Sequence, residues 1–247
     1  DVYIHQELFG HPGEDFPVII SLVGPEDDLS IQVHPDDEHA QKIGYKRGKN
    51  EAWFFIESDP GASIVYGQKT KNKEELQEMI NQDKWDDIYK KYPVADGDFV
   101  YLPAGCLHAM GKGNVVYEIQ QSTDVTYRFY DYHRKDKDGN ERELHLKQAI
   151  DCLSFDKDID KNDVHPVVKV HENMKETIFI SNDSFTVSQL LVIGKCQYKC
   201  DNYQLATVVK GSGKVDEYDV KVGDNFLIPT NTSIELDGQM MIMMTTK

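Results

Sequence analysis

The sequence predicts a mainly β protein made of two small β domains, the first carrying a helical insertion. Three observations lead there. Short β-branched and aromatic runs separated by Pro, Gly and Asp recur along most of the chain. One stretch, about residues 71–92, changes to an apolar period of three to four residues. A spaced Gly-Asp…Pro pattern appears at Gly97 and returns, in the same spacing, at Gly223.

The first strands are expected at Val18–Val23, Leu29–His34, Ala52–Ile56 and Ala62–Tyr66. Between Asn72 and Tyr92, Leu76, Met79, Ile80, Trp85, Ile88 and Tyr89 recur among charges as one face of a helix, with a break near Asp83. Strands resume at Phe99–Leu102, Val115–Gln120 and Val125–Tyr132, followed by a charged turn from His133 to Arg142 and a short helix at Leu146–Leu153. The polar stretch Asp156–Asp163 reads as a boundary, giving domains 1–155 and 156–247, and the second contains strands with no helix of any length. In the echo, Gly97-Asp98 leads to Pro103, Gly105 and His108, whereas Gly223-Asp224 leads to Pro229, Asn231 and Ile234. Asn is the usual replacement for Gly at positive φ, so the pattern predicts one β unit used twice, with the histidine kept only in the first copy.

Composition narrows the function. The 247 residues include 27 Lys and Arg against 43 Asp and Glu, a net charge of −16. Such a field repels nucleic acid and anionic membrane surfaces, and an anionic small substrate would need a local group of cations. The four cysteines (Cys106, Cys152, Cys196, Cys200) are too few and too scattered for a disulfide framework. No run reaches the roughly 18 apolar residues of a membrane helix, and Asp1-Val2-Tyr3-Ile4-His5 does not read as a signal peptide. A reducing, cytoplasmic setting is expected.

The chemistry lies in four spaced residues. Strand alternation puts Gln32 and His34 on one face. Glu51 follows Gly48-Lys49-Asn50 at the start of an aromatic strand, and His108 follows the Pro103-Ala104-Gly105 turn. Two imidazoles, a carboxylate and an amide from separate strands suit Zn²⁺ or another divalent first-row cation, in an open site rather than a closed structural one. Taken singly, each is more often a surface or hydrogen-bonding residue. Ser30 alternates with Gln32 and is either a phosphate donor or a plain strand serine. Cys196 and Cys200 read as separate thiols, the Met240–Met244 run as a buried final strand, and His145 as structural.

The Gly-x5-Pro-x-Gly-x2-His spacing, together with Gln32-Val33-His34 and Glu51, resembles the two signatures of the cupin barrels. At finer grain, Ser30-Ile31-Gln32-Val33-His34-Pro35, Gly48-Lys49-Asn50-Glu51-Ala52-Trp53, Pro103-Ala104-Gly105-Cys106-Leu107-His108 and Thr126-Tyr127-Arg128-Phe129-Tyr130-Asp131 resemble the type I mannose-6-phosphate isomerases in their short bacterial form. The resemblance implies two cupin-type (jelly-roll) domains and one Zn²⁺ per chain held by Gln32, His34, Glu51 and His108. It further implies a catalytic Arg128, an active-site Lys49 and a phosphorylated hexose substrate. The expected reaction interconverts mannose 6-phosphate and fructose 6-phosphate through an enediol. Ser21 stands where the family carries a lysine, and the family's further N-terminal segment is not seen in this sequence. A noncatalytic, metal-containing sugar-binding relative, an isomerase for another sugar, and a metal-dependent oxygenase therefore stand as alternatives. The sequence gives no indication of oligomeric state.

Overall fold

The computed structural model describes residues 16–155 and 164–247. They form two compact units, one of residues 19–155 and the other of residues 164–247 together with 16–18. The stretch expected as a domain boundary, 156–163, lies outside the described residues.

The first unit runs β1 (Val18–Val23), β2 (Ile31–Val33), α1 (Asp37–Lys42), β3 (Glu51–Ser58), β4 (Ser63–Gln68), α2 (Lys73–Asn81), α3 (Trp85–Ile88), β5 (Tyr89–Pro93), β6 (Phe99–Leu102), β7 (His108–Met110), β8 (Asn114–Gln121), β9 (Tyr127–Tyr130) and α4 (Leu146–Cys152). Two antiparallel sheets result, ordered β1-β8-β3-β6 and β5-β4-β7-β2-β9. Period-two alternation sorts their side chains. Trp53, Phe55, Ile64, Tyr66, Val100, Leu102, Met110 and Val116 pack together between the two sheets. The opposite face of the second sheet, with Ile31, Val33, Val65, Leu107, Ala109 and Phe129, is covered by Leu76 of α2, Trp85 and Ile88 of α3 and Ala149 of α4. Residues next to these outward positions, among them Gln32 and His108, therefore face the interior.

The helical insertion is shorter than the period suggests. Asn72 caps α2 by accepting from the Glu75 amide, and the chain breaks at Asp83, whose φ is +58°. After α3, Tyr89–Pro93 is not helical: it forms β5 and pairs with β4. Sheet pairing there overrides a local helical period.

The second unit holds β10 (Val167–His171), β11 (Met174–Ser181), β12 (Thr186–Ile193), β13 (Cys196–Lys199), β14 (Gln204–Val215), β15 (Tyr218–Lys221), β16 (Asn225–Ile228) and β17 (Ser233–Thr246). Its described residues contain no helix, as the sequence predicts. The sheet order is β10-β11-β12-β17-β14-β15, with β13 on β17 and β16 on β14. The long strands β14 and β17 pair at Gly213 and Gly238, where a side chain on Gly213 would meet the Asp237 carbonyl at 2.3 Å. The interior is apolar: Leu190, Val192, Val208, Leu236, Met240, Ile242 and Met244 fill it, with Ile234 and Cys200. The methionine run is thus part of a buried final strand, and Cys196 and Cys200 are free thiols.

The echo is visible in the backbone. Gly97 and Gly223 both have positive φ, 86° and 92°. The Asp98 carboxylate accepts from the Ala95 amide, and the Asp224 carboxylate accepts from the Lys221 amide. Asn231 has φ +58° where Gly105 has +83°.

Candidate metal centre

One face of the second sheet in the first unit carries a row of polar side chains. Gln32 on β2 is directly opposite His108 on β7 and Arg128 on β9. On the facing sheet, Glu51 opens β3 opposite Gln120, and Glu118 on β8 is opposite Trp53. His34 lies one residue past β2, again on the inward side. His34, Glu51 and His108 are 2%, 1% and 1% exposed. Their donor atoms all lie within 4.8 Å of one another.

The hydrogen bonds set the tautomers. His34 Nδ1 is 3.1 Å from the Val125 carbonyl, and His108 Nδ1 is 3.0 Å from the Cys106 carbonyl. A carbonyl only accepts, so each Nδ1 carries the proton and each Nε2 presents a lone pair. Those lone pairs face the Glu51 carboxylate, with His34 Nε2 3.3 Å from Oε1 and His108 Nε2 3.2 Å from Oε2. Burial lowers the His34 pKa to about 4, which keeps that ring neutral. His34 Nε2 and Glu51 Oε2 are left buried without a hydrogen-bond partner. Two lone pairs and a carboxylate converging out of reach of water need a cation between them, so these residues fit a divalent metal. The Gln32 amide, with Nε2 3.5 Å from His108 Nε2, borders the same point.

Lys49 is 7% exposed, and its Nζ lies 2.9 Å from Glu51 Oε1. Arg128 is half-buried; its Nη1 donates to the Glu143 carbonyl at 2.8 Å, and its Nε is buried with no hydrogen-bond partner. Ser30, half-buried, immediately precedes β2. Glu118 escaped the sequence reading: burial and the Glu51 charge raise its pKa, and Trp53 Nε1 donates to its Oε1 at 2.9 Å. Its position two residues from Val116, on the apolar face of a strand, was the available signal.

The loops carrying these groups are tied together. Asn50 accepts from the Ala104 amide through Oδ1 at 2.8 Å and donates to Gln121 Oε1 through Nδ2 at 2.9 Å. Gly105 N donates to the His34 carbonyl at 2.9 Å, and Lys49 N donates to the Pro35 carbonyl at 3.0 Å. A cleft of about 980 Å³ on the same unit is lined by Asp36, Asp37, Glu38, Glu74 and Asp151 beside Lys71 and Lys73; this acidic rim does not suit a phosphorylated ligand.

Imidazole and carboxylate donors buried between two sheets, with a lysine beside them, mark a mainly β protein with a candidate metal site. Comparison with known proteins makes the assignment specific. Residues 175–247 match the family described as mannose-6-phosphate isomerase, cupin domain. The chain is 38% identical over 246 residues to the mannose-6-phosphate isomerase of Streptococcus mutans, covering 97% of this chain and 77% of that one. It is 37% identical over 235 residues to a Bacillus subtilis mannose-6-phosphate isomerase, covering 91% and 73%. The crystal structure of the mannose 6-phosphate isomerase from Bacillus subtilis superposes with a TM-score of 0.92 at 31% identity, covering 99% of this chain and 80% of that one. The chain belongs to the mannose-6-phosphate isomerase family and is an enzyme with a mainly β, cupin-containing fold. No helix among the described residues is long and apolar enough to cross a membrane.

Proposed function

We propose that this chain interconverts mannose 6-phosphate and fructose 6-phosphate by moving a proton between C1 and C2 through an enediol, with one Zn²⁺ held by Gln32, His34, Glu51 and His108. The observation that carries the reading is the convergence of the His34, Glu51 and His108 donors within 4.8 Å, beside Lys49 and beside Gln32, which is paired in register with Arg128. Bound there, a divalent cation supplies Lewis acidity to the sugar oxygens at the reacting carbons.

The chain's own residues supply the rest. As the proton leaves C2, negative charge grows on the oxygens at C1 and C2, and the permanently charged Arg128 guanidinium stabilises that charge or the phosphate. Lys49 Nζ and the Glu118 carboxyl, both facing the interior, are groups able to hold the moving proton. Burial and the Glu51 charge raise the Glu118 pKa, the direction that suits an acid. Ser30 is assigned a hydrogen bond to the phosphate. Lys49 and Arg128 together provide the positive potential that a net charge of −16 otherwise denies an anionic sugar. The first domain, 1–155, is the metal-binding cupin unit and the second, 156–247, its degenerate counterpart. Free, scattered cysteines support a cytoplasmic setting.

The test follows ketose formation from mannose 6-phosphate by metal-replete protein, then repeats it after chelation and with Arg128→Ala. Turnover lost in both controls supports the reading. Bound zinc without turnover on mannose 6-phosphate refutes it and favours a sugar-binding role or a different sugar.

A further inference from the structure

Arg128 is seated by a short strap, residues 142–145, whose anchor lies outside the reaction chemistry. β9 is the last strand of its sheet, and the strap covers its free edge at Arg128. His145 N donates to the Arg128 carbonyl at 2.8 Å, and Arg128 N donates to His145 Nδ1 at 3.1 Å. The Glu143 carbonyl accepts from Arg128 Nη1 at 2.8 Å. One residue earlier, Arg142 lies side-on against Asp131, with Nε 2.7 Å from Oδ2 and Nη2 2.6 Å from Oδ1. Asp131 is 3% exposed, directly after β9, and also accepts from Arg134 Nη2. Arg134 Nη1 in turn donates to the Asp28 carbonyl at 2.6 Å, two residues ahead of Ser30. Between Asp131 and Arg134 the chain turns through Tyr132 and His133, both non-glycine residues at positive φ, 56° and 53°. Such a turn persists only where surrounding contacts impose it.

We propose that the Asp131–Arg142 pair is a positioning device for Arg128, an inference that rests on the charge-stabilising role given to Arg128 above. The pair is bidentate, which fixes angle as well as distance. It sets the height of the 142–145 strap, and the Glu143 carbonyl at the next residue then selects one orientation of the Arg128 guanidinium. Fixing one Nη on a backbone carbonyl confines the guanidinium, and with it the charge offered to the bound sugar phosphate, to one place. Arg142 and Asp131 touch no reacting atom; they act through Arg128.

Arg142→Ala is the discriminating variant, because Asp131 keeps Arg134 as a partner and the half-exposed Arg142 is not part of the core. In the full metal-loaded chain, kcat/KM for mannose 6-phosphate should fall by about 10-fold to 100-fold, the scale of a misplaced catalytic group. Zinc affinity, measured by chelator competition, should stay within about twofold of the parent, and Arg142→Lys should recover part of the loss. The decisive readout is a double-mutant cycle. Placed on Arg128→Ala, or on Arg128→Lys if the first background is too slow to measure, Arg142→Ala should cost less than about twofold. An equal loss in both backgrounds, or no loss in the parent, overturns the inference. If Arg128→Ala itself retains full turnover, the assignment of Arg128 fails instead, and the two failures are told apart.

Discussion

Gly48→Ala should damage the proposed metal centre without touching any of its proposed ligands. Gly48 N donates to Asp37 Oδ1 at 2.7 Å, and its α-carbon lies against the chain that follows His34. A methyl group there would stand 2.4 Å from the Asp36 carbonyl carbon, 2.6 Å from the Pro35 oxygen and 2.7 Å from the Asp37 nitrogen. All three are backbone atoms, so no side chain can swing aside. Restoring ordinary carbon contact at about 3.5 Å requires the two segments to part by about 1 Å. One segment follows directly from His34 and the other leads into Lys49 and Glu51, so the separation falls on the His34–Glu51 distance. Overpacking of this kind costs about 1–3 kcal/mol. Displacing the supports of metal ligands costs about 10-fold to 100-fold in metal affinity. The assay is zinc competition against a fluorescent chelator, with thermal unfolding alongside. Gly24→Ala is the control, since its methyl would meet Val115 Cγ2 at an ordinary 3.6 Å. Parental zinc affinity and parental stability in Gly48→Ala would refute the argument that this close approach holds the two segments together.

Chelation should lower the melting temperature by about 5–10 °C and added zinc should restore it, because a ligand present at about 100 times its Kd stabilises the folded state by about 2.7 kcal/mol; scanning calorimetry reads both changes. Trp53→Phe keeps the buried ring but removes the donor to Glu118, leaving a buried acceptor unpaired at a cost of about 1–3 kcal/mol, measured by urea unfolding. Asp131→Asn should flatten the acid limb of stability. Burial pushes the Asp131 pKa upward, but the hydrogen bonds from Arg142 and Arg134 outweigh it and hold the carboxyl below its usual 3.8. Its contribution is therefore full above the ordinary carboxylate range and is lost as pH falls through the lowered value. Unfolding free energies between about pH 6 and pH 3 in parent and variant check the sign.

Local patterns that repeat were readable in advance. Gln32-Val33-His34 announces its inward face because Ile31 and Val33 must be buried on the other, and the Gly97 and Gly223 turns carry their own conformational requirement. Features defined only by distant partners were not readable. Tyr89 satisfies the helical period of residues 72–92, yet Tyr89–Pro93 joins β4, whose pairing no local signal reports. Strand β7 spans three residues, too few to show alternation, and α1 is little more than one turn capped by Asp36. The run His133–Arg142 reads as a solvated turn because its organising contact is a bidentate pair across eleven residues of chain. A chain at −16 gives no hint that Lys49 is buried against a carboxylate.

The second unit supplies the argument that the polar cluster is retained for chemistry rather than for folding. Both units contain the same turn, with Gly97-Asp98 and Gly223-Asp224 making equivalent hydrogen bonds. Where the first places His108 against Glu51, the second has Ile234 within an apolar interior. The repeated unit therefore closes without polar side chains inside it. Burying two imidazoles and a carboxylate carries a desolvation cost that apolar residues of similar volume avoid, and the pair-by-pair attraction rarely repays it in full. In the first unit that cost falls on His34 and His108, whose Nε2 atoms lie 3.3 and 3.2 Å from the Glu51 carboxylate. A unit that closes with isoleucine at one copy of this position does not need histidine there to fold, which is what the proposed metal role of His108 requires.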